Sequence, residues 1–325
     1  MDAVAADIAA RLRSVWANPA LEVISIAPFG DGHSGFTYRL ELSNDGGPYV
    51  LRLSAPGARI AGPADIGRQG RIMGALGTAG LPAPRVFDCS SEPLIDGRAF
   101  AVLELVKGTG WAAAVESTSH RAVAGAAVDV LQRLRALPVA ASGIPDEPVS
   151  GPAEELRRWA GLLDRAPDVL HEPGRALIAR LGRTIPVSLD VGLVHGDLHY
   201  GNMLFADGKV VAIIDWEIAS LADPLLDLGC LAVASLRRKY PDEPNPTGAV
   251  DIPLGELVSL YGADPEQARW FIALSCLKYS AIMGYNLGLH RAGRRLDPVY
   301  EALQGTMRGL LDDGLALLED GLDGT

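Results

Sequence analysis

Residues 193–205 read Leu-Val-His-Gly-Asp-Leu-His-Tyr-Gly-Asn-Met-Leu-Phe, and after Ala206-Asp207-Gly208-Lys209 the chain runs Val-Val-Ala-Ile-Ile-Asp-Trp to Trp216. Asp-Gly between two hydrophobic runs is a strong signal for a two-residue hairpin. With Asp207-Gly208 as the turn, Phe205 faces Val210, Met203 faces Ala212 and Asn202 faces Ile213. Asp215, two residues past Ile213, then shares a face with Asn202. Diagonal neighbours of this kind have Cβ atoms about 7 Å apart, close enough for one hard cation between two oxygen donors. Asp197 stands in the loop entering the hairpin. Two carboxylates and one amide oxygen therefore gather at one end of one hairpin. A polar loop on a buried hairpin is the plainer alternative, and it leaves Asp215 unexplained directly after five hydrophobic residues.

Upstream of this stretch the texture is of two kinds. Residues 2–17 carry Val4, Ile8, Leu12 and Trp16 at helical spacing, stopped by Asn18-Pro19. Leu21–Pro28, Thr37–Ser43 and Tyr49–Ser54 then read as short strands, Ala64–Ala79 as a helix, and Arg85–Cys89 and Ala99–Val106 as two further strands. From Gly108–Gly110 onward the pattern is mainly helical, with helices expected over 119–137, 153–166, 173–183, 224–239, 264–290 and 297–319. Ser142–Pro152 and Pro241–Pro253 read as loops. The expected organisation is a sheet domain over residues 1–106 and a mainly helical domain over 107–325.

In the sheet domain, Gly30, Gly32 and Gly35 form G-x-G-x-x-G. A dinucleotide fingerprint needs a helix after these glycines. Here Phe36-Thr37-Tyr38-Arg39-Leu40-Glu41-Leu42 alternates like a strand. A strand–glycine loop–strand unit can cover nucleotide phosphates, or it can be an ordinary hairpin.

Composition narrows the class. The chain has 325 residues, 48% of them hydrophobic, and a net charge of −11. That is enough length to bury a sizeable core. An acidic chain lacks the basic face of a general nucleic-acid binder. Three scattered cysteines (Cys89, Cys230, Cys276) have no metal-ligand spacing and suit a reducing compartment. No apolar run reaches the roughly 18 residues of a membrane span, and the first residues lack a signal-peptide pattern. A soluble, cytoplasmic protein is expected. Lys107, Lys209, Lys239 and Lys278 are the four lysines, so the first 106 residues have none.

His195-Gly196-Asp197 followed by Asn202 is H-G-D-x-x-x-x-N, and Ile214-Asp215-Trp216 follows after one hairpin. Together they resemble the aminoglycoside phosphotransferase family, which has the protein-kinase-like fold. Leu81-Pro82-Ala83-Pro84-Arg85-Val86, Leu103–Gly108 and Asp223-Pro224-Leu225-Leu226-Asp227-Leu228 extend the resemblance over about residues 20–320. Val50-Leu51-Arg52 and Pro56-Gly57 look most like the kinase-like domains of the acyl-CoA dehydrogenase 10 and 11 proteins. The resemblance implies an α+β, bilobal fold. It implies transfer of the γ-phosphate of ATP or GTP to a hydroxyl of a small molecule. Asp197 would orient or deprotonate that hydroxyl, and Asn202 and Asp215 would hold Mg²⁺. Gly30, Gly32 and Gly35 would cover the phosphates, the backbone of Glu104 and Val106 would bind the base, and His195 and Asp227 would support the catalytic loop. No nucleic-acid or membrane partner is implied.

The match departs from the family at one pair. Kinases of this fold use a lysine on the third strand and a glutamate on the following helix. Here those positions hold Arg52 and Gln69. Strand alternation puts Arg52 on the face opposite Leu51 and Leu53, where it can point into the cleft. Arginine can hold phosphate oxygens through two N–H groups, but Gln69 offers it no charge. Hence the alternative of a catalytically silent nucleotide-binding protein of the same fold.

Overall fold

A computed structural model describes residues 1–29, 36–43, 46–62, 65–187, 190–240 and 250–322. Gly30, Gly32 and Gly35 lie outside them. The chain divides into two compact units. One comprises Met1–Gly108, Pro138–Asp146 and Val211–Ile218; the other comprises Thr109–Leu137, Glu147–Val210 and Ala219–Thr325. The architecture is α+β, with an antiparallel sheet in the first unit and mostly helices in the second.

The first unit runs α1 (Asp2–Val15), β1 (Val23–Pro28), β2 (Thr37–Leu42), β3 (Tyr49–Leu53), α2 (Ile66–Thr78), β4 (Val86–Ile95) and β5 (Arg98–Glu104). Its strands form one antiparallel sheet in the order β1-β2-β3-β5-β4. Alternation decides the faces. Tyr49, Leu51 and Leu53 join Val4, Ile8 and Leu12 of α1 in one core cluster, while Val50 and Arg52 are only half-buried on the other face. That other face receives α2. Two glycines let the helix come close: a Cβ on Gly67 would lie 2.1 Å from Ser91 N, and one on Gly70 would lie 2.6 Å from Cys89 Sγ. Asp65 caps α2, accepting from Arg68 N at 2.8 Å and from Ser91 Oγ at 2.6 Å. Strand β4 runs on to Ile95, past the strand expected over 85–89, and the turn into β5 falls at Asp96-Gly97, both at positive φ.

The second unit runs α3 (Trp111–Ser117), α4 (His120–Arg135), β6 (Val149–Ser150), α5 (Pro152–Leu163), α6 (His171–Gly182), β7 (Gly192–Val194), β8 (Met203–Ala206), β9 (Lys209–Ile213), β10 (Ser220–Ala222), α7 (Leu225–Leu236), α8 (Leu254–Tyr261), α9 (Pro265–Arg291), α10 (Val299–Ala302) and α11 (Gln304–Asp320), with β9 crossing into the first unit at Val211. Helix α9 is the axis of this unit, buried along most of its 27 residues and packed on α5, α7 and α11. It meets α7 closely at Gly229, where a Cβ would stand 2.5 Å from Phe271 O. The short elements α3, α8 and the small sheet β6-β10-β7 escape the sequence reading, being too brief for a hydrophobic period to register. The helix expected over 297–319 is broken at Leu303 into α10 and α11.

Gly67→Ala tests the approach of α2 to β4. The added methyl meets backbone atoms of Ser90 and Ser91, which cannot rotate away. A loss of about 1–3 kcal/mol in unfolding free energy is expected from overpacking, read by urea denaturation, with Gly77→Ala as the open-space control.

Candidate functional site

The site residues fall into two groups, one in each unit. In the helical unit they hang from the end of β7. Asp227 of α7, itself 1% exposed, accepts from His195 N at 2.7 Å and from Gly196 N at 2.9 Å. Gly196 adopts φ +82°, which turns the chain so that both amides face one carboxylate. Asp197 N then donates to His195 Nδ1 at 3.1 Å, so His195 presents its lone pair inward and serves the loop's shape. Asn202 closes the loop: its Nδ2 donates to Asp197 O at 2.9 Å. With Nδ2 committed, Oδ1 is the amide atom left to serve as a ligand.

The Asp197 carboxylate has its own surroundings. Tyr279 Oη of α9 donates to Asp197 Oδ1 at 2.6 Å, and His199 Nε2 lies 3.9 Å from Oδ2. Burial would push the Asp197 carboxyl up, but His199, Lys278 and the Tyr279 hydroxyl together hold it below the usual carboxylate value. The same burial pushes His199 down, toward the neutral imidazole. His199 Nδ1 accepts from Gly201 N at 3.0 Å, leaving Nε2 as the protonated nitrogen facing Asp197. Burial also raises Asp227, against the pull of His195 and the two amides. Lys278, 4% exposed, reaches Cys230 Sγ at 3.4 Å, and the Cys230 thiol in turn donates to Gly196 O at 3.6 Å.

In the sheet unit, Arg52 forks. Nη1 donates to Gln69 Oε1 at 3.1 Å and Nη2 to Asp215 Oδ1 at 3.2 Å. Asp215 is held by a strained turn rather than by a strand. The pairing of β9 stops at Ile213, whose N–H goes instead to Pro82 O at 3.0 Å, and Asp215 adopts φ +71°. The two strands and their turn stand as expected, Met203–Ala206 beside Lys209–Ile213, and what fails is the extension of their alternation to Asn202 and Asp215. Asn202 ends a single helical turn at Tyr200–Asn202 and Asp215 lies past the strand, so alternation along the hairpin does not aim either side chain. The turn itself has the conformation that Asp-Gly favours, with φ +50° at Asp207 and +71° at Gly208. Glu104 ends β5, its N–H donating to Arg85 O at 2.8 Å, and Val106 lies two residues beyond in irregular backbone.

Asn202 in the helical unit and Asp215 in the sheet unit each carry, taken separately, an oxygen of the kind a hard cation accepts. One offers an amide oxygen, the other a carboxylate that is 39% exposed and keeps Oδ2 away from Arg52. Among the described residues no three His, Cys, Asp or Glu side chains form a ready-made metal cage.

Lys278 and Cys230 are the residues that sequence reading missed at this site. Tyr279 opens a mixed aromatic and cationic run over 279–297 that the sequence allows as the lining of an acceptor pocket or, more plainly, as a solvated helix end. The rest of that run serves the helix end. Arg165 donates to Tyr285 Oη at 3.0 Å, and Arg291 pairs with Glu301 at 2.7 Å.

Residues 25–271 match the model of the phosphotransferase enzyme family. Acyl-CoA dehydrogenase family member 11 of Rattus norvegicus is 27% identical over 91% of this chain and 40% of its own length. Acyl-CoA dehydrogenase family member 10 of Mus musculus is 29% identical over 64% of the chain and 20% of its own length. The chain thus spans well under half of these longer proteins. An aminoglycoside 3′-phosphotransferase of Streptomyces fradiae is 32% identical over 62% of the chain and 77% of its own length. Among solved structures, a Ralstonia eutropha protein assigned as an aminoglycoside phosphotransferase superposes with a TM-score of 0.76 at 20% identity, covering 97% of this chain and 98% of its own. A choline kinase of Streptococcus pneumoniae superposes at 0.60 with 20% identity, covering 95% and 97%. Among the described residues no helix is long and apolar enough to cross a membrane.

Asp227→Asn tests the brace under this loop. The amide keeps one oxygen for one of the two backbone N–H donors and sets its NH₂ group against the other. A loss of about 2–3 kcal/mol of stability is expected, with faster hydrogen exchange at His195 and Gly196 as the local readout.

Proposed function

We propose, since the chain belongs to the phosphotransferase enzyme family, that it transfers the γ-phosphate of ATP or GTP to a hydroxyl group of a small molecule. The observation that carries this reading is the Asp197 loop. A carboxylate kept ionised by its neighbours, on a backbone braced by Asp227 and Asn202, is what an acceptor hydroxyl needs for orientation and for loss of its proton. Phosphoryl transfer asks the protein mainly for positioning and charge compensation, so a rigid acceptor-side carboxylate counts for much.

Asn202 and Asp215 would hold Mg²⁺. When bound, the cation neutralises phosphate charge and orients the phosphates for in-line transfer. Arg52 would take phosphate oxygens through its guanidinium in place of the family's lysine. Gly30, Gly32 and Gly35 would cover the phosphates, and the backbone at Glu104 and Val106 would bind the base. The acceptor is a hydroxylated small molecule, and the relatives include enzymes named for aminoglycosides and for choline.

The Arg52 fork favours a second reading, a nucleotide-binding protein without transfer. An arginine that leans on Asp215 and finds only a neutral Gln69 competes with a cation for the same carboxylate. The two readings part in one assay: γ-labelled ATP or GTP, Mg²⁺ and a panel of hydroxylated metabolites and antibiotics. Label in an acceptor, reduced about a hundredfold or more in Asp197→Ala, supports the enzyme. Nucleotide binding with no label in any acceptor supports the silent protein. Asp215→Asn should weaken Mg²⁺-dependent nucleotide binding, and an unchanged Mg²⁺ titration would remove Asp215 from the metal site.

Gln69→Glu addresses the competition itself. A carboxylate at position 69 should draw Arg52 from Asp215 and lower the Mg²⁺ midpoint for nucleotide binding by about threefold to tenfold. A midpoint that stays or rises would mean that Arg52 does not oppose the cation.

A further inference from the structure

Tyr279 touches the carboxylate at the centre of the helical unit, and above it enters only as one of the neighbours that keep Asp197 ionised. Its hydroxyl donates to Asp197 Oδ1 at 2.6 Å, a length proper to an O–H bonded to an ionised carboxylate. The side chain is 8% exposed and that of its neighbour Lys278 is 4% exposed. Successive residues of a helix point about 100° apart, and here Tyr279 ends on the loop itself while Lys278 ends on Cys230 of α7, which touches the loop. Lys278 Nζ reaches Cys230 Sγ at 3.4 Å, and that thiol donates to Gly196 O at 3.6 Å. The ammonium also lies 5.2 Å from the Tyr279 ring centroid and 5.3 Å from that of Trp159. Helix α9 therefore holds Gly196 through a thiol and Asp197 through a phenol. The other carboxylate oxygen is differently placed. Oδ2 is 3.9 Å from His199 Nε2, beyond hydrogen-bond length, and the Asp197 side chain keeps 33% of its surface exposed.

Resting on the phosphotransferase reading, we propose that Tyr279 is a positioning residue for Asp197: its hydroxyl fixes Oδ1 so that the carboxylate offers Oδ2 to the acceptor hydroxyl. A carboxylate turns about its terminal torsion in a broad, two-fold well. Proton acceptance needs the acceptor hydroxyl within about 2.6–3.2 Å of one oxygen. A hydrogen bond to Oδ1 narrows that torsion before the acceptor arrives, and misplacement by even about 1 Å is costly in rate. Lys278 steadies the ring from its flank and anchors α9 to Gly196 through Cys230. The Tyr279 hydroxyl meets the Asp197 carboxylate and the Cys230 thiol and none of the residues assigned to the nucleotide, so its loss is expected to lower turnover and leave nucleotide affinity unchanged.

The test compares wild-type protein, Tyr279→Phe and Asp197→Ala. Phenylalanine keeps the ring and its packing and removes only the hydroxyl. Turnover is measured with γ-labelled Mg²⁺–ATP, with water and the hydroxylated panel as acceptors, and ATP affinity by equilibrium binding. The expected result is a fall in turnover of about tenfold or more in Y279F, with the ATP dissociation constant within about twofold of wild type. In proton NMR the wild type should show a downfield hydroxyl signal that is missing from both variants. Full turnover in Y279F overturns the proposal, as does a parallel loss of turnover and ATP affinity, which marks general damage. A wild-type protein that binds ATP and labels no acceptor overturns the phosphotransferase reading and this proposal with it. An active wild type with an equally active Y279F overturns this proposal alone.

Discussion

Two backbone N–H groups, those of His195 and Gly196, converge on the buried carboxylate of Asp227, and the geometry of the helical unit's centre follows from that. A buried carboxylate without donors would be costly, and backbone donors supply what it needs without adding charge. The loop is then tied to helix α7, and everything else on that helix is placed in relation to it. Cys230 follows Asp227 by three residues, so it faces the same loop one turn on. Gly229 lies between them and faces away, where its missing side chain admits Phe271 of α9. One helix face therefore holds the loop while the next brings α9 near enough for Lys278 and Tyr279 to reach it.

The sheet unit solves a different electrostatic problem. Arg52 emerges from a strand whose alternate residues build the core, so its direction follows from the burial of Tyr49, Leu51 and Leu53. A guanidinium has two usable edges, and here one goes to Gln69 and the other to Asp215. A lysine in the same place has a single charged point and no such fork. With a neutral amide on the helix, the strongest partner available to Arg52 is the aspartate. The charge relation of Arg52 is therefore with Asp215 and not with the helix.

The legible and illegible parts of this molecule divide by the range of the interactions that make them. The Asp207-Gly208 turn, the strand carrying Arg52 and the helix carrying Gln69 rest on local spacing, and each is present in the structure. The aim of Asp215 was not legible, because it depends on Ile213 leaving the hairpin for Pro82, more than a hundred residues away in the chain. The same holds for Tyr279. Its neighbours in sequence mark a buried helix and a polar helix end, and only the packing of α9 on α7 brings its hydroxyl to Asp197. Spacing gives Cys230 no part in a metal site and no other role, yet it is buried and its thiol bridges a lysine and a backbone carbonyl.

Lysine scarcity acquires its meaning here. One of the four lysines is Lys278, in the interior of α9, with a thiol and two aromatic rings around its ammonium. An isolated buried ammonium would tend to lose its proton. Asp197 and Asp227 are both near enough to oppose that, and with Cys230 they hold Lys278 above its usual value in spite of burial. The dependence runs both ways. Two carboxylates around one backbone loop repel each other, and a cation buried beside them lowers the cost of ionising the one that faces the solvent. Asp227 takes the backbone amides, Lys278 compensates its charge and that of Asp197, and Tyr279 takes one oxygen of Asp197. The remaining oxygen is the group at this centre whose bonding is left to whatever approaches from outside.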